Sequence, residues 1–170
     1  MKKIIIFGNS GSGKSTLAKS LVKDHQLAHL DLDILAWQAT DPPTRKPVFE
    51  SKKAIDQFCV ENESWVIEGC YADLLQLVFD QAEEAIFMNL PVSMCQENAM
   101  KRPWEKHKYN SKDEQDAHLP MLLEWMAEYT ERTNEFSYQA HLSLYKNFNG
   151  SKRQITQNQR IKPNENTRRI

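Results

Sequence analysis

The chain has 170 residues, 40% of them apolar and 26% charged, which is enough for one domain with a real hydrophobic core. A net charge of -1 gives the molecule as a whole no nucleic-acid footprint. Three cysteines without a CxxC or a framework spacing exclude a disulfide scaffold, and no apolar run is long enough to span a bilayer. Reduced thiols and a cytoplasmic location are the corresponding expectations.

Lys3 to Phe7 is a short β-branched run and reads as a buried parallel strand. Lys14 to His25 has helical spacing, with Leu17, Leu21 and Val22 on one face. Leu27 to Asp33, "LAHLDLD", reads as a second strand that ends in acids, and the three prolines of Gln38 to Pro47 predict a loop. A helix is expected over Phe49 to Asn62, a third strand over Trp65 to Gly69, and a short helix from Ala72 to Asp80. Glu84 to Pro91 reads as a fourth strand stopped by its proline, and Val92 to Lys101 as a helix. The polar stretch from Arg102 to Asp116 predicts a lid, given as about residues 102–117. Leu119 to Phe148 reads as one long helix burying Leu122, Trp125, Met126, Tyr129, Phe136 and Leu142. "RQIT" is a candidate fifth, edge strand at the start of a basic segment, residues 151–170, with Lys152, Arg153, Arg160, Lys162, Arg168 and Arg169 against Glu165. Alternating strand and helix predict a single α/β domain over residues 1–150, with a parallel sheet that binds its ligand at the strands' carboxyl ends.

The chemistry begins at "GNSGSGKST". Gly8, Gly13, Lys14 and Ser15 match G-x-x-x-x-G-K-[ST], placed between a strand and a helix. A loop that wraps phosphates with inward N–H groups needs unusual dihedrals, which glycine permits, and the following helix turns its positive end toward them. The stretch Gly8, Ser10, Gly11, Ser12, Gly13, Lys14, Ser15 and Thr16 is therefore the expected binding loop for ATP with Mg²⁺. Lys14 would reach the β- and γ-phosphates, and the Ser15 hydroxyl would ligate the metal.

Strand ends supply the acids. Glu68, beside a turning glycine, is the first choice for the metal's water shell, and Asp31 the second; either acid also serves as an ordinary strand-end cap. Asp33, set on the same side as Asp31 by the strand's period of two, is the candidate to bind or deprotonate an acceptor hydroxyl, or else caps a turn at "ILAW". Arg102 is the favoured lid cation, because guanidinium matches phosphate through paired bonds. Arg132 is a second catalytic candidate, with a surface pair to Glu128 as its bland alternative, and Arg45 is placed to grip an anionic acceptor. The five histidines show no metal spacing, and Cys70 has no base beside it to make it a nucleophile.

The ordered set "GNSGSGKST", "HLDLDILAW", "WVIEGCY", "IFMNLP", "KRPW" and "EWMAEYTER" resembles the small P-loop kinase-like proteins labelled DNA-topology-modulation or adenylate-kinase-like proteins, with nucleoside-monophosphate and shikimate kinases as wider relatives. The resemblance covers roughly Met1 to Phe148. It implies a three-layer P-loop fold, a five-stranded parallel sheet in order 2-3-1-4-5 and a lid. It also implies a metal-shell role for Glu68, an acceptor role for Asp33, a lid-hinge role for Arg102 and a post-lid arginine at Arg132. Asn89 and Asn98 stand where the family carries an acid and an arginine, and "EGCY" where it carries "DGNY".

The expected function is transfer of the γ-phosphoryl of Mg·ATP to an unidentified small-molecule acceptor by a monomer or homodimer. Two alternatives stand beside it: an ATP-binding regulatory protein with little catalysis, and a nucleic-acid contact confined to the basic tail. Nothing in the sequence selects the acceptor or the base.

Overall fold

The computed structural model describes residues 1–106 and 108–158 of the chain. Its elements run β1 (Lys3–Gly8), α1 (Lys14–His25), β2 (Ala28–Asp31), α2 (Asp33–Ala36), β3 (Trp37–Gln38), β4 (Thr44–Arg45), α3 (Val48–Glu61), β5 (Trp65–Gly69), α4 (Ala72–Gln76), β6 (Glu84–Met88), α5 (Val92–Met100), α6 (Lys112–Ala127), a 3-10 turn (Glu128–Thr130), α7 (Tyr138–Asn147) and β7 (Ser151–Ile155). Strands β2, β5, β1, β6 and β7 lie side by side in that order, all parallel, and they are the five-stranded 2-3-1-4-5 sheet expected.

β1 occupies the middle of the sheet and is buried on both faces. Ile5 and Phe7 join Trp65, Ile67, Phe87, Ile55, Leu74 and Leu144 on the side covered by α3, α4 and α7. Ile4 and Ile6 join Val66, Ile86, Ala18, Cys95 and Met126 on the side covered by α1, α5 and α6. Each such buried side chain stabilises the fold by about 1.5–3 kcal/mol relative to exposure. β7 is the edge strand and is largely exposed; only Ile155 is buried among its residues. The basic residues Arg160, Lys162, Arg168 and Arg169 lie outside the described residues, as do Glu165 and His107 of the lid.

Four expectations are corrected. The second strand ends at Asp31, and Asp33 opens the short helix α2. The proline-rich loop holds a two-stranded antiparallel ribbon, pairing Trp37 with Arg45 and Gln38 with Thr44. The fourth strand stops at Met88, ahead of Pro91. The long helix from Leu119 to Phe148 is broken in two. α6 starts at Lys112, inside the stretch assigned to the lid, where the Ser111 hydroxyl accepts from the Glu114 N–H at 3.1 Å. It gives way to the 3-10 turn, and Ser137 caps a separate α7 by accepting from Ala140 N–H at 3.0 Å. "SKDE" has the spacing of a capping box, a local signal that overrides the polar composition around it.

The central strand carries the testable consequence. Ile5→Ala should lower unfolding free energy by about 2–5 kcal/mol, read from the denaturant midpoint at unchanged slope.

Candidate active site

The glycine loop is built by steric exclusion. Gly8 has φ 146°, and a Cβ there would stand 2.4 Å from the Met88 carbonyl oxygen. Gly11 has φ 73°, with a Cβ position 2.3 Å from the Cys95 carbonyl. At Gly13 a Cβ would make only an ordinary contact, 3.7 Å from Met88 Cε, so the φ of 89° alone calls for glycine. The loop is braced by Asn9, which is buried: its Nδ2 donates to the Met126 carbonyl at 3.2 Å and its Oδ1 accepts from the Ser10 N–H at 2.9 Å. Asn98 donates to the Gly11 carbonyl at 2.8 Å and exchanges two amide bonds with Asn158. Asn89 is tied instead to Gln154 on β7, at 3.0 Å. Ser15 and Thr16 fall in the first turn of α1, whose N-terminal cap is Gly13. Lys14 Nζ donates to the Asn9 carbonyl at 2.9 Å. Ser12 is buried, and its hydroxyl has no hydrogen-bond partner among the described residues.

Two acids meet across the β2–β5 pairing, since Asp31 is the register partner of Glu68. Glu68 is 1% exposed, and its Oε1 lacks a hydrogen bond among the described residues, with His29 Nε2 3.4 Å away. Burial, then the charges of Glu68 and Asp33, push the Asp31 carboxyl above its ordinary range. Asp31 Oδ1 accepts from the Asp33 N–H at 2.9 Å, so the first acid orients the second through the α2 turn rather than along a strand.

Asp33 is held from both sides. The Tyr71 hydroxyl donates to its Oδ1 at 2.6 Å and itself accepts from Trp37 Nε1 at 2.8 Å. Lys108 Nζ lies 2.9 Å from Oδ2. Burial would raise the Asp33 carboxyl, but the ammonium of Lys108 and the Tyr71 hydrogen bond outweigh it and hold it below its ordinary value. Lys108 is held above its own, since Asp33 and Glu105 outweigh its burial. Lys108, from the stretch before α6, is thus the cation that meets Asp33. Arg102 sits one ion pair further out, 3.1 Å from Glu105, which also lies 3.8 Å from Lys108.

Arg132 follows the 3-10 turn, off any helix, and makes no side-chain pair with Glu128. Its Nη2 donates to the Trp125 carbonyl at 2.7 Å, and its guanidinium lies 3.7 Å from the Trp125 ring centre. Arg45 pairs with Asp73 at 2.8 Å and stacks 4.8 Å from the centre of the Tyr71 ring. Behind them runs a buried chain absent from the sequence reading. His141 bonds the Cys70 carbonyl through Nε2 at 2.9 Å and the Tyr129 hydroxyl through Nδ1 at 2.8 Å. A carbonyl only accepts, so Nε2 carries the proton and Nδ1 receives the tyrosine's. Burial pushes His141 down to about 3, which keeps it neutral, and pushes the Cys70 thiol up to about 12, which leaves it inert. A lone histidine in an amphipathic segment gave no sign of this in the sequence.

No protein-family model matches the chain. An uncharacterised protein of Bacillus subtilis, YqaC, is 31% identical to it over 110 residues, which are 62% of this chain and 59% of that protein. The chain therefore matches less than two thirds of that relative's length. Among solved structures, an uncharacterised protein from Eubacterium ventriosum aligns over 92% of this chain and 91% of its own, with 17% identity and a TM-score of 0.48. A sugar kinase from a Janibacter species aligns over 92% and 85%, with 10% identity and a TM-score of 0.49. A shikimate kinase from Bacteroides thetaiotaomicron aligns over 74% and 80%, with 17% identity and a TM-score of 0.43. At these scores the structural likenesses say nothing about activity. Among the described residues, no helix is long and apolar enough to cross a membrane.

The electrostatics around Asp33 make a signed prediction. Its folded-state pKa lies below the unfolded one, so the contribution of its contacts to stability is present above the unfolded value and is lost as pH falls through the folded one. Lys108→Met and Tyr71→Phe should each raise the Asp33 pKa, the first more strongly, as followed by carboxyl ¹³C NMR titration. An unmoved titration in both would show that neither contact holds the acid.

Proposed function

We propose that the protein is a P-loop phosphotransferase that moves the γ-phosphoryl group of Mg·ATP to the hydroxyl of a small-molecule acceptor. The observation that carries this reading is the pairing of a glycine-built phosphate loop with a separately held acid, Asp33, under a lid lysine. A loop that only bound nucleotide would have no use for an acid fixed by Tyr71 and Lys108 where an acceptor can approach.

The residues fit both parts of Mg·ATP. The loop leaves the buried hydroxyl of Ser12 without a partner among the described residues and holds Lys14 only by a backbone carbonyl. An anion with several acceptor oxygens satisfies both. Glu68 presents a buried carboxylate oxygen with no hydrogen bond among the described residues, suited to the water shell of a cation that Ser15 would ligate directly. Mg·ATP supplies the transferable phosphoryl and, through the metal, neutralisation of the charge that develops on it.

This chain's residues do the remainder. The loop N–H groups and Lys14 fix the phosphates. Asp33 orients the acceptor hydroxyl and takes its proton as the acceptor oxygen bonds to the γ-phosphorus and the bridging bond to ADP breaks. Lys108 is bound to Asp33 oxygen Oδ2, the one not engaged by Tyr71, so an arriving hydroxyl displaces it toward the incoming phosphoryl. Asp31 keeps the α2 turn in place. Closure of the segment around Lys108 excludes water, which favours transfer over hydrolysis.

ADP release should be measured with Mg·ATP across a panel of nucleoside monophosphates, nucleosides, shikimate, gluconate and a 5′-hydroxyl oligonucleotide. Lys14→Ala should weaken ATP binding by roughly tenfold or more, about 1.4 kcal/mol. Asp33→Asn should lower acceptor-dependent kcat by about 10²–10⁴ with ATP binding retained. ATP binding that Lys14→Ala weakens, with no turnover on any acceptor, would favour the regulatory reading that Asn89 and Asn98 motivate.

A further inference from the structure

An open cavity of about 260 Å³ lies at the carboxyl ends of β6 and β7, between the turn that leaves β6 and the 3-10 turn that follows α6. Leu90, Pro91, Val92, Tyr129 and Tyr138 give it an apolar lining. Asn89, Thr130 and Thr156 add one amide and two hydroxyls. Leu90 and Tyr129 are buried, whereas Thr130 and Thr156 are exposed, so the floor is apolar and the rim polar. No lining residue belongs to the glycine loop, and Asp33 is held by other side chains, those of Tyr71 and Lys108.

The lining selects a kind of occupant. The Tyr129 hydroxyl is taken by His141 Nδ1 at 2.8 Å, so what Tyr129 offers the cavity is its ring. That ring meets the Tyr138 ring edge to face, with centres 5.9 Å apart and planes at 78°. A third ring extends such a pair favourably. Asn89 spends its Nδ2 on Gln154 at 3.0 Å, which leaves its amide oxygen to accept a hydrogen bond. No charged side chain lines the cavity among the described residues, so an ion there would be desolvated without a partner. The volume falls below the roughly 300–1,000 Å³ of sites for drug-sized ligands, which suits one ring system rather than a nucleotide. The start of α5 borders the cavity without a side-chain cap, which makes an anion the rival occupant.

We propose that this cavity is a second small-molecule site, separate from the reacting one, for a neutral planar ring compound that carries an amide or a similar hydrogen-bonding edge. The ring lies against Tyr129, Tyr138 and Val92, and the polar edge meets Asn89 and the two threonines. The occupant rests on one end of the buried chain that runs from Tyr129 through His141 to the Cys70 carbonyl. It also rests on the turn after Met88, whose carbonyl abuts Gly8. The inference goes beyond the phosphotransferase reading and does not depend on it.

The test is an NMR titration of the full chain with ¹³C-labelled tyrosine rings. Three probes are used: benzamide, benzoate of the same shape but charged, and cyclohexanecarboxamide with the same amide but no planar ring. Benzamide should shift the Tyr129 and Tyr138 signals saturably and leave those of Tyr109 and Tyr145 in place. Benzoate and cyclohexanecarboxamide should each bind more weakly by about tenfold or more. Val92→Trp, which fills the cavity, and Tyr138→Leu, which removes one ring, should each weaken benzamide to a similar degree with native circular dichroism. Saturating Mg²⁺ and a non-hydrolysable ATP analogue should leave the benzamide titration unchanged. No saturable shift with benzamide overturns the site, as does unchanged affinity in both variants. Binding of benzoate or cyclohexanecarboxamide as tight as that of benzamide overturns the assigned ligand class. Displacement of benzamide by the ATP analogue overturns the separateness of the two sites.

Discussion

The architecture depends on the close approach of β1 to β6 at the point where the chain leaves the sheet. The Met88 carbonyl lies where a side chain on Gly8 would have to be. Glycine there lets the chain turn off the central strand without losing its register with the neighbour, and the loop that follows aims the start of α1 back at its own origin. A wider turn would carry Lys14, at the start of α1, away from the Asn9 carbonyl to which it donates.

Around that turn the molecule places its charges by different means. Glu68 is fixed by a strand buried on both faces, so its position is as rigid as the sheet. Asp33 is fixed by side chains from three other segments: Asp31 through the α2 turn, Tyr71 after β5, and Lys108 from the lid. The first acid is suited to a constant partner such as a hydrated cation. Under the proposed function the second suits partners that come and go, because one of its oxygens is held by the Lys108 side chain rather than by the sheet. Under the proposed function, this difference in support matches a metal-facing role for Glu68 and an acceptor-facing one for Asp33.

The interior polar chain from Tyr129 through His141 to the Cys70 carbonyl joins the turn after α6 to the end of β5. Its members are neutral and each hydrogen bond has one consistent direction, so it rigidifies without storing charge. It also sets the position of Tyr71, the next residue along, and through it that of Asp33. Arg132 follows the same turn and rests on the Trp125 carbonyl and ring.

Much of this was legible without coordinates. The strand, glycine loop and helix at the start of the chain and the parallel sheet were readable because each depends on local pattern and on alternating strand and helix, while the strand order followed from the family resemblance. The break within Leu119 to Phe148 was missed because apolar spacing continues across it, although the serines at 111 and 137 mark both helix starts. The contact of Lys108 with Asp33, the orientation of Asp33 by Tyr71 and Trp37, and the stacking of Arg45 on Tyr71 and of Arg132 on Trp125 had no sequence signal. Apart from the last, they join segments far apart in the chain, and which cation reaches which acid is settled by how the lid, the ribbon and the post-lid turn pack over the sheet. Local pattern determined the glycine loop and the elements on either side of it; packing decided which side chains stand around it.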